Sequence, residues 1–173
     1  MKKTLVLVSM FLFFLQIANI AFSEVTMSVD YENRKAVVYD GDVEIAQQTF
    51  DEHGNFLSID GKIPNGKVNV TFNEEYGFIT YKNNMPNGEA KLYYPEGDIH
   101  FEGFYTNGML RDEKKEFYRN GKLLRKENFR DGKRWGNLKE YYADGAKKSE
   151  AVYEGGKLIE QKHFDKIEKV GQK

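Results

Sequence analysis

Cysteine is absent from the 173 residues, so the chain has neither a disulfide framework nor a thiolate ligand for a metal. The same absence excludes a lipid anchor on an N-terminal cysteine, and we expect the protein not to be a lipoprotein. The three histidines are scattered along the chain, and none has a second histidine at the spacing of a zinc site. No serine lies in a nucleophile elbow, and no glycine-rich phosphate loop occurs. These absences predict a non-enzymatic protein without cofactor or metal.

The N-terminus has the order of features that is typical of a secretory signal peptide. Lys2 and Lys3 precede an apolar run over residues 5–15, and Ala21-Phe22-Ser23 supplies small residues for a cleavage site. An uncleaved membrane anchor is the alternative, but the run is shorter than the ~18–20 residues that a spanning helix needs. We therefore predict a signal helix over 1–23, cleavage after Ser23, and an exported protein that is periplasmic or extracellular.

The charges are unevenly distributed along the remainder of the chain. Residues 24–110 carry 6 Lys and Arg against 15 Asp and Glu, whereas residues 111–173 carry 18 against 12. The C-terminal half is therefore basic, with a net charge of +6. A solvated surface and an electrostatic role in binding both account for this asymmetry.

An internal repeat with a nearly constant step is the most informative pattern of the sequence. An apolar, usually aromatic residue is followed by a polar turn pair, and a second series with Phe or Tyr before an acidic or Asn-Gly turn alternates with it. Asn-Gly and Asp-Gly pairs favour the positive φ of tight hairpin turns. The turn pairs of the first series are Asp60-Gly61, Asn83-Asn84, Asn107-Gly108, Asp131-Gly132 and Gly155-Gly156, and the second series begins at Phe50, Phe72, Tyr94, Tyr118 and Tyr142.

This pattern predicts an all-β fold, an elongated antiparallel meander of about five tandem β-hairpin units over 49–160. Because the step from Tyr94 to Tyr118 and from Tyr118 to Tyr142 is an even number, these equivalent tyrosines return to the same face of the sheet and should form a row. Residues 24–48 are expected to form an N-terminal β cap that protects one edge. Residues 161–173 are expected to form a charged tail, either a short helix or a frayed end.

The turn-and-aromatic series resembles the MORN repeat family, in particular its degenerate bacterial variant that is often described as an antitoxin component. The later glycines Gly66, Gly88 and Gly136 and the stretch Phe101-Glu102-Gly103-Phe104-Tyr105 also match the family pattern. The resemblance covers roughly residues 50–160. It implies a hairpin-repeat fold and contact with proteins or membrane lipids, without catalytic residues.

A segment rich in basic and aromatic residues provides the candidate binding site. Residues 111–134 contain ten Lys and Arg, and the single tryptophan, Trp135, follows them. We predict a non-catalytic scaffold that binds another protein. Binding to an anionic lipid or envelope surface and an antitoxin-type role by resemblance remain alternatives, export argues against nucleic acid, and the oligomeric state stays open. The predicted partner-binding residues are Lys122, Arg125, Lys126, Arg130, Lys133, Arg134 and Trp135.

Overall fold

The computed structural model describes residues 24–166, and this part of the chain folds into one β-sheet without a helix. The predicted signal helix over 1–23 lies outside the described residues, and so do residues 167–173 of the predicted tail. Between residues 24 and 166 there is no helix long and apolar enough to cross a membrane. The strands are β1 (Val25–Asp30), β2 (Lys35–Asp40), β3 (Val43–Phe50), β4 (Phe56–Gly61), β5 (Gly66–Phe72), β6 (Glu75–Lys82), β7 (Met85–Tyr93), β8 (Ile99–Thr106), β9 (Met109–Phe117), β10 (Leu123–Arg130), β11 (Lys133–Arg134), β12 (Gly136–Tyr141), β13 (Lys147–Glu154) and β14 (Lys157–His163).

The strands from β5 to β14 follow one another as an antiparallel meander, as the repeats predict. The only departure in this part of the structure is β11, a two-residue strand that pairs with β10 before β12 continues alongside it. Strand β14 runs to His163, so the first three residues of the predicted tail continue the sheet.

The first four strands enter the sheet differently, so the prediction of a wholly antiparallel meander is wrong at one junction. Strand β1 lies between β2 and β5 and runs parallel to β5, with Met27 opposite Val70. Strand β4 is left at the edge, and Asp60-Gly61, predicted as a hairpin turn, instead ends this strand. Burial explains this order: β1 and β2 bury Met27 and Val38 almost completely, whereas β4 has no buried residue. The more apolar strand gains more from the interior of the sheet.

The other four turn pairs of the first series close hairpins, as predicted. Asn107 and Gly108 have φ angles of 49° and 80°, and Asp131 and Gly132 have 50° and 74°. Both positions of these turns require the left-handed backbone that Asn, Asp and Gly adopt most easily. Asn83-Asn84 and Gly155-Gly156 have the same signs of φ.

Hydrogen bonds link the predicted tyrosine row from one unit to the next. The Tyr94 hydroxyl donates to the carbonyl of Phe117 at 2.6 Å, and the Tyr118 hydroxyl donates to the carbonyl of Tyr141 at 2.8 Å. Each acceptor precedes the next tyrosine of the row, Tyr118 or Tyr142. The repeat therefore appears in the structure as a ladder of equivalent contacts.

A second ladder joins the turns at the opposite end of the strands. The amide of each turn glycine donates to a carbonyl of the preceding unit, just after the turn of that unit. The pairs are Gly108 with Pro86 at 2.7 Å, Gly132 with Leu110 at 3.1 Å, and Gly156 with Arg134 at 2.9 Å. Each unit is thereby fixed to the unit before it.

The loop between β3 and β4 fastens the N-terminal strands onto these turns. The Asn55 side chain accepts a hydrogen bond from the Leu110 amide and donates one to the Gly132 carbonyl, both at 2.8 Å. The Phe56 amide donates to the Gly108 carbonyl at 2.8 Å. The sheet therefore curls until β3 and β4 lie against one of its own faces. We name this the inner face, which carries Tyr81, Tyr105 and Phe129, and the opposite side the outer face.

Candidate functional site

The predicted binding residues are divided between the two faces and the two ends of the sheet. Side chains alternate along β10, so Arg125 lies on the inner face, whereas Lys126 and Arg130 lie on the outer face. Lys122 lies in the turn before β10, at the far end of the strand, where its ammonium donates to the Asp144 carbonyl at 2.7 Å. The structure therefore does not bring the seven residues together as one site.

Both inner-face arginines of the predicted set are paired with carboxylates. The Arg125 guanidinium lies 2.9 Å from Glu140, and the Arg134 guanidinium lies 2.8 Å from Glu127. Burial alone would lower the pKa of Arg125, but Glu116, Glu127 and Glu140 outweigh it and raise that pKa. These guanidinium groups neutralise acidic side chains of the same sheet and contribute little positive charge to a partner.

Glu127 lies at the centre of this inner-face charge network. The residue is only 1% exposed, and its carboxylate receives Arg134 on one oxygen and lies 3.4 Å from the Lys114 ammonium on the other. Lys114 also contacts Glu116 at 2.8 Å. Burial would raise the pKa of Glu116, but Lys114 and Arg125 outweigh burial and lower it. The network is therefore held together by charge pairing in a poorly solvated place.

Three of the remaining predicted residues, Arg130, Lys133 and Trp135, lie together on the outer face, close to the turn after β10. The Arg130 guanidinium lies 4.2 Å from the centroid of the Trp135 ring, and Lys133 pairs with Arg130 across the hairpin. Phe104 and Met109, on the outer face of the neighbouring β8 and β9, are each 47% exposed. We name this surface the outer patch, composed of Phe104, Met109, Arg111, Arg130, Lys133 and Trp135.

Three members of the outer patch, Phe104, Met109 and Arg111, were not predicted as binding residues, although the sequence carries a signal for them. Tyr105 is buried on the inner face, so the alternation of β8 places Phe104 on the outer face. Arg111 is the register partner of Phe104 on β9, and Met109 lies two residues before it. An aromatic, a methionine and an arginine on one exposed surface are typical of protein interfaces.

Three lysines stand in direct register across the outer face, next to the outer patch. Lys115, Lys126 and Lys139 lie on β9, β10 and β12, and each is the cross-strand partner of the next. Like charges placed opposite each other are destabilising. Glu113 relieves the repulsion by contacting both Lys115 and Lys126, and Glu150 lies 3.9 Å from Lys139. The row is therefore basic but largely neutralised by neighbours.

Two histidines of residues 24–166 make contacts within the fold. This part of the chain contains no group of three or more His, Asp or Glu side chains placed to hold a metal ion. His100 lies 2.7 Å from the Glu75 carboxylate and stacks on Tyr94, with ring centroids 4.5 Å apart. His53 contacts the Phe129 ring edge-on in the loop before β4.

Comparison with known proteins places the repeats in a family context. No curated protein matches the chain. One solved structure, an S. aureus TarM mutant in complex with Fondaparinux, alpha-GlcNAc-glycerol and UDP, shares 12% identity over 80% of this chain and 21% of that chain. The TM-score of 0.24 is too low for a conclusion about fold or function. The family profile described as MORN repeat variant matches residues 86–111 and 113–131, from β7 to the turn after β10. This match gives no support for an antitoxin role. It supports the MORN repeat family for the central units of the chain.

Proposed function

We propose that this chain is an exported, non-catalytic scaffold that binds another protein through the outer patch. One observation carries the proposal: Phe104 and Met109 are half exposed on the face that also carries Trp135, whose ring the Arg130 guanidinium covers. Large apolar side chains normally lie in the core, and aromatic residues with arginine dominate the energy of protein interfaces. The match to the MORN repeat variant is consistent with a binding role.

The chemistry of the patch indicates the kind of partner that it fits. Arg111 is the register partner of Phe104, Arg130 and Lys133 pair with each other, and all three are exposed. A complementary partner therefore presents an apolar group for Phe104 and Met109, with carboxylates around it. Binding of this kind should weaken only moderately with salt, because the apolar contact is not screened.

Crosslinking tests this proposal directly. The protein, carrying a photoreactive phenylalanine analogue at Met109, should crosslink saturably to one protein in native envelope extracts. The double variant with Phe104→Ser and Trp135→Ala should abolish that product. Tyr76→Ser is the matched control, because Tyr76 is also 47% exposed on the outer face but lies on β6, outside the patch. Loss of the product with the Tyr76 variant, or its persistence in the double variant, would contradict the proposal.

Export is tested separately by the mass of the protein. Expression of the whole chain should yield a mature form that begins at Glu24, detected by intact mass and N-terminal sequencing. A purified protein that retains residues 1–23 would refute the cleavage part of the proposal without affecting the outer patch.

Binding to an anionic surface is the second candidate, and the row of Lys115, Lys126 and Lys139 favours it. Co-sedimentation with vesicles of phosphatidylglycerol should then occur at low salt and disappear above about 0.5 M salt, where the screening length falls to a few ångströms. Charge reversal at Lys126 should weaken that binding. The glutamates beside the row make this the less favoured candidate.

A further inference from the structure

A cleft of about 510 Å³ lies between the N-terminal strands and the inner face of the sheet, on the opposite side from the outer patch. Tyr31, at the tip of the β1–β2 hairpin, forms one wall with Phe50 and Phe72, whose rings lie 5.7 and 4.5 Å from the Tyr31 ring. Phe101 lines the facing wall. Binding sites for small molecules typically have such a volume, with aromatic side chains and some polar groups in the lining.

The Tyr105 hydroxyl belongs to the lining of this cleft and is open to it. Tyr105 is 6% exposed, and its ring packs with Ala90, Leu110 and Phe129. Among the described residues, no group forms a hydrogen bond with its hydroxyl. Within residues 24–166, Glu127 Oε1 is the fully buried side-chain polar atom without a hydrogen-bond partner, so the unpaired Tyr105 hydroxyl is accessible from the cleft.

The equally buried Tyr81 shows the usual arrangement, since its hydroxyl donates to the Gln48 side chain at 2.7 Å. The Tyr105 hydroxyl instead points towards Gly54 in the cleft lip, where a Cβ atom added to Gly54 would lie 3.1 Å from it. Burial raises the pKa of Tyr105, and Tyr31 nearby raises it further. The group is therefore a protonated donor that faces the cleft at neutral pH.

The charged side chains that line the cleft have partners within the fold. His100 lies 2.7 Å from Glu75, and Lys114 lies 2.8 Å from Glu116. The Asp51 carboxylate, also in the lining, accepts hydrogen bonds from the His53 and Asn55 backbone amides, so an ionic ligand would have to compete with contacts within the fold. A neutral ligand therefore fits the electrostatics of the cleft best.

We propose that the cleft binds a neutral, partly aromatic small molecule whose carbonyl or amide oxygen accepts a hydrogen bond from Tyr105. The aromatic body of the ligand packs between the Tyr31 and Phe101 walls. This inference does not depend on the outer patch or on the partner proposed for it, because the two surfaces lie on opposite faces of the sheet.

Fluorescence titration with 6-propionyl-2-dimethylaminonaphthalene, a neutral naphthalene with one ketone oxygen, tests the inference. The purified protein should bind this probe saturably at one site, with emission shifted to the blue. Tyr105→Phe should raise its Kd about 2- to 12-fold, the range that one hydrogen bond supplies. The same variant should leave the midpoint of urea unfolding unchanged, because the hydroxyl has no partner to lose.

Three comparisons make the test decisive. Tyr118→Phe removes a hydroxyl that lies outside the cleft, and Phe104→Ser alters the outer patch; both should leave the Kd unchanged. The anionic probe 1-anilinonaphthalene-8-sulfonate should bind at least ten times more weakly than the neutral one. Absence of saturable binding, equal Kd values for the Tyr105 and Tyr118 variants, loss of binding with Phe104→Ser, or equal binding of the anionic probe would each overturn the proposal.

Discussion

Replacing Asn55 with alanine is expected to detach the N-terminal strands from the repeat turns. The Asn55 side chain is the partner of the Leu110 amide and the Gly132 carbonyl, and the residue is 6% exposed. Alanine leaves both backbone groups without that partner in a poorly solvated place. Each unpaired group costs about 1–3 kcal/mol, so we expect the free energy of unfolding to fall by about 2–6 kcal/mol.

Urea unfolding followed by circular dichroism measures this change, and hydrogen exchange locates it. The Leu110 amide should lose protection in Asn55→Ala while amides in β13 keep theirs. Asn120→Ala is the matched control, because the Asn120 side chain also donates to one distant carbonyl, that of Ala143 at 2.9 Å, but in an exposed turn. A loss of stability no larger than that of the control, with Leu110 still protected, would refute the clamping role of Asn55.

Three further predictions concern the sheet itself. Tyr118→Phe removes the hydrogen bond to the Tyr141 carbonyl and should lower the free energy of unfolding by about 1 kcal/mol in urea titrations. Burial would raise the pKa of Glu140, but its hydrogen bond from Ser149 and the Arg125 charge outweigh burial and lower it below the ordinary 4.5. The stability that ionised Glu140 contributes is present above about pH 4.5 and is lost as the pH falls through the folded-state pKa. Glu140→Gln should therefore flatten the pH dependence of the unfolding midpoint. Glu127→Leu should lower the free energy of unfolding by about 3 kcal/mol, because Arg134 is left unpaired. Adding Arg134→Leu should recover part of that loss in urea titrations.

The sequence predicted the repeat units well because their turns are specified locally. Asn107-Gly108 and Asp131-Gly132 require positive φ, and few residue types tolerate it. The even repeat then fixes which tyrosines share a face. The pairing of β1 with β5 could not be predicted in this way, because alternation of apolar residues says which face is buried but not which strand lies alongside. The loop that carries Asn55 decides that question through contacts with residues that are distant in the sequence.

The candidate site was predicted in part, for a similar reason. Composition located the basic segment around Arg130 and Trp135, which the structure does bring into contact. Net charge could not separate Arg125 from Lys126, although strand alternation places them on opposite faces. The cleft around Tyr105 depends on the curl of the whole sheet and has no signature in the sequence.

The ladder of turn amides decides where this molecule can change in length. Each turn glycine amide is bonded to the preceding unit, so one duplicated repeat unit placed after Gly156 would meet the same geometry and add two strands. A unit inserted before Leu110 would instead carry Leu110 and Gly132 away from Asn55. Repeat units can therefore be added by gene duplication on the C-terminal side. The contacts of Asn55 with Leu110 and Gly132 fix the number of units before them.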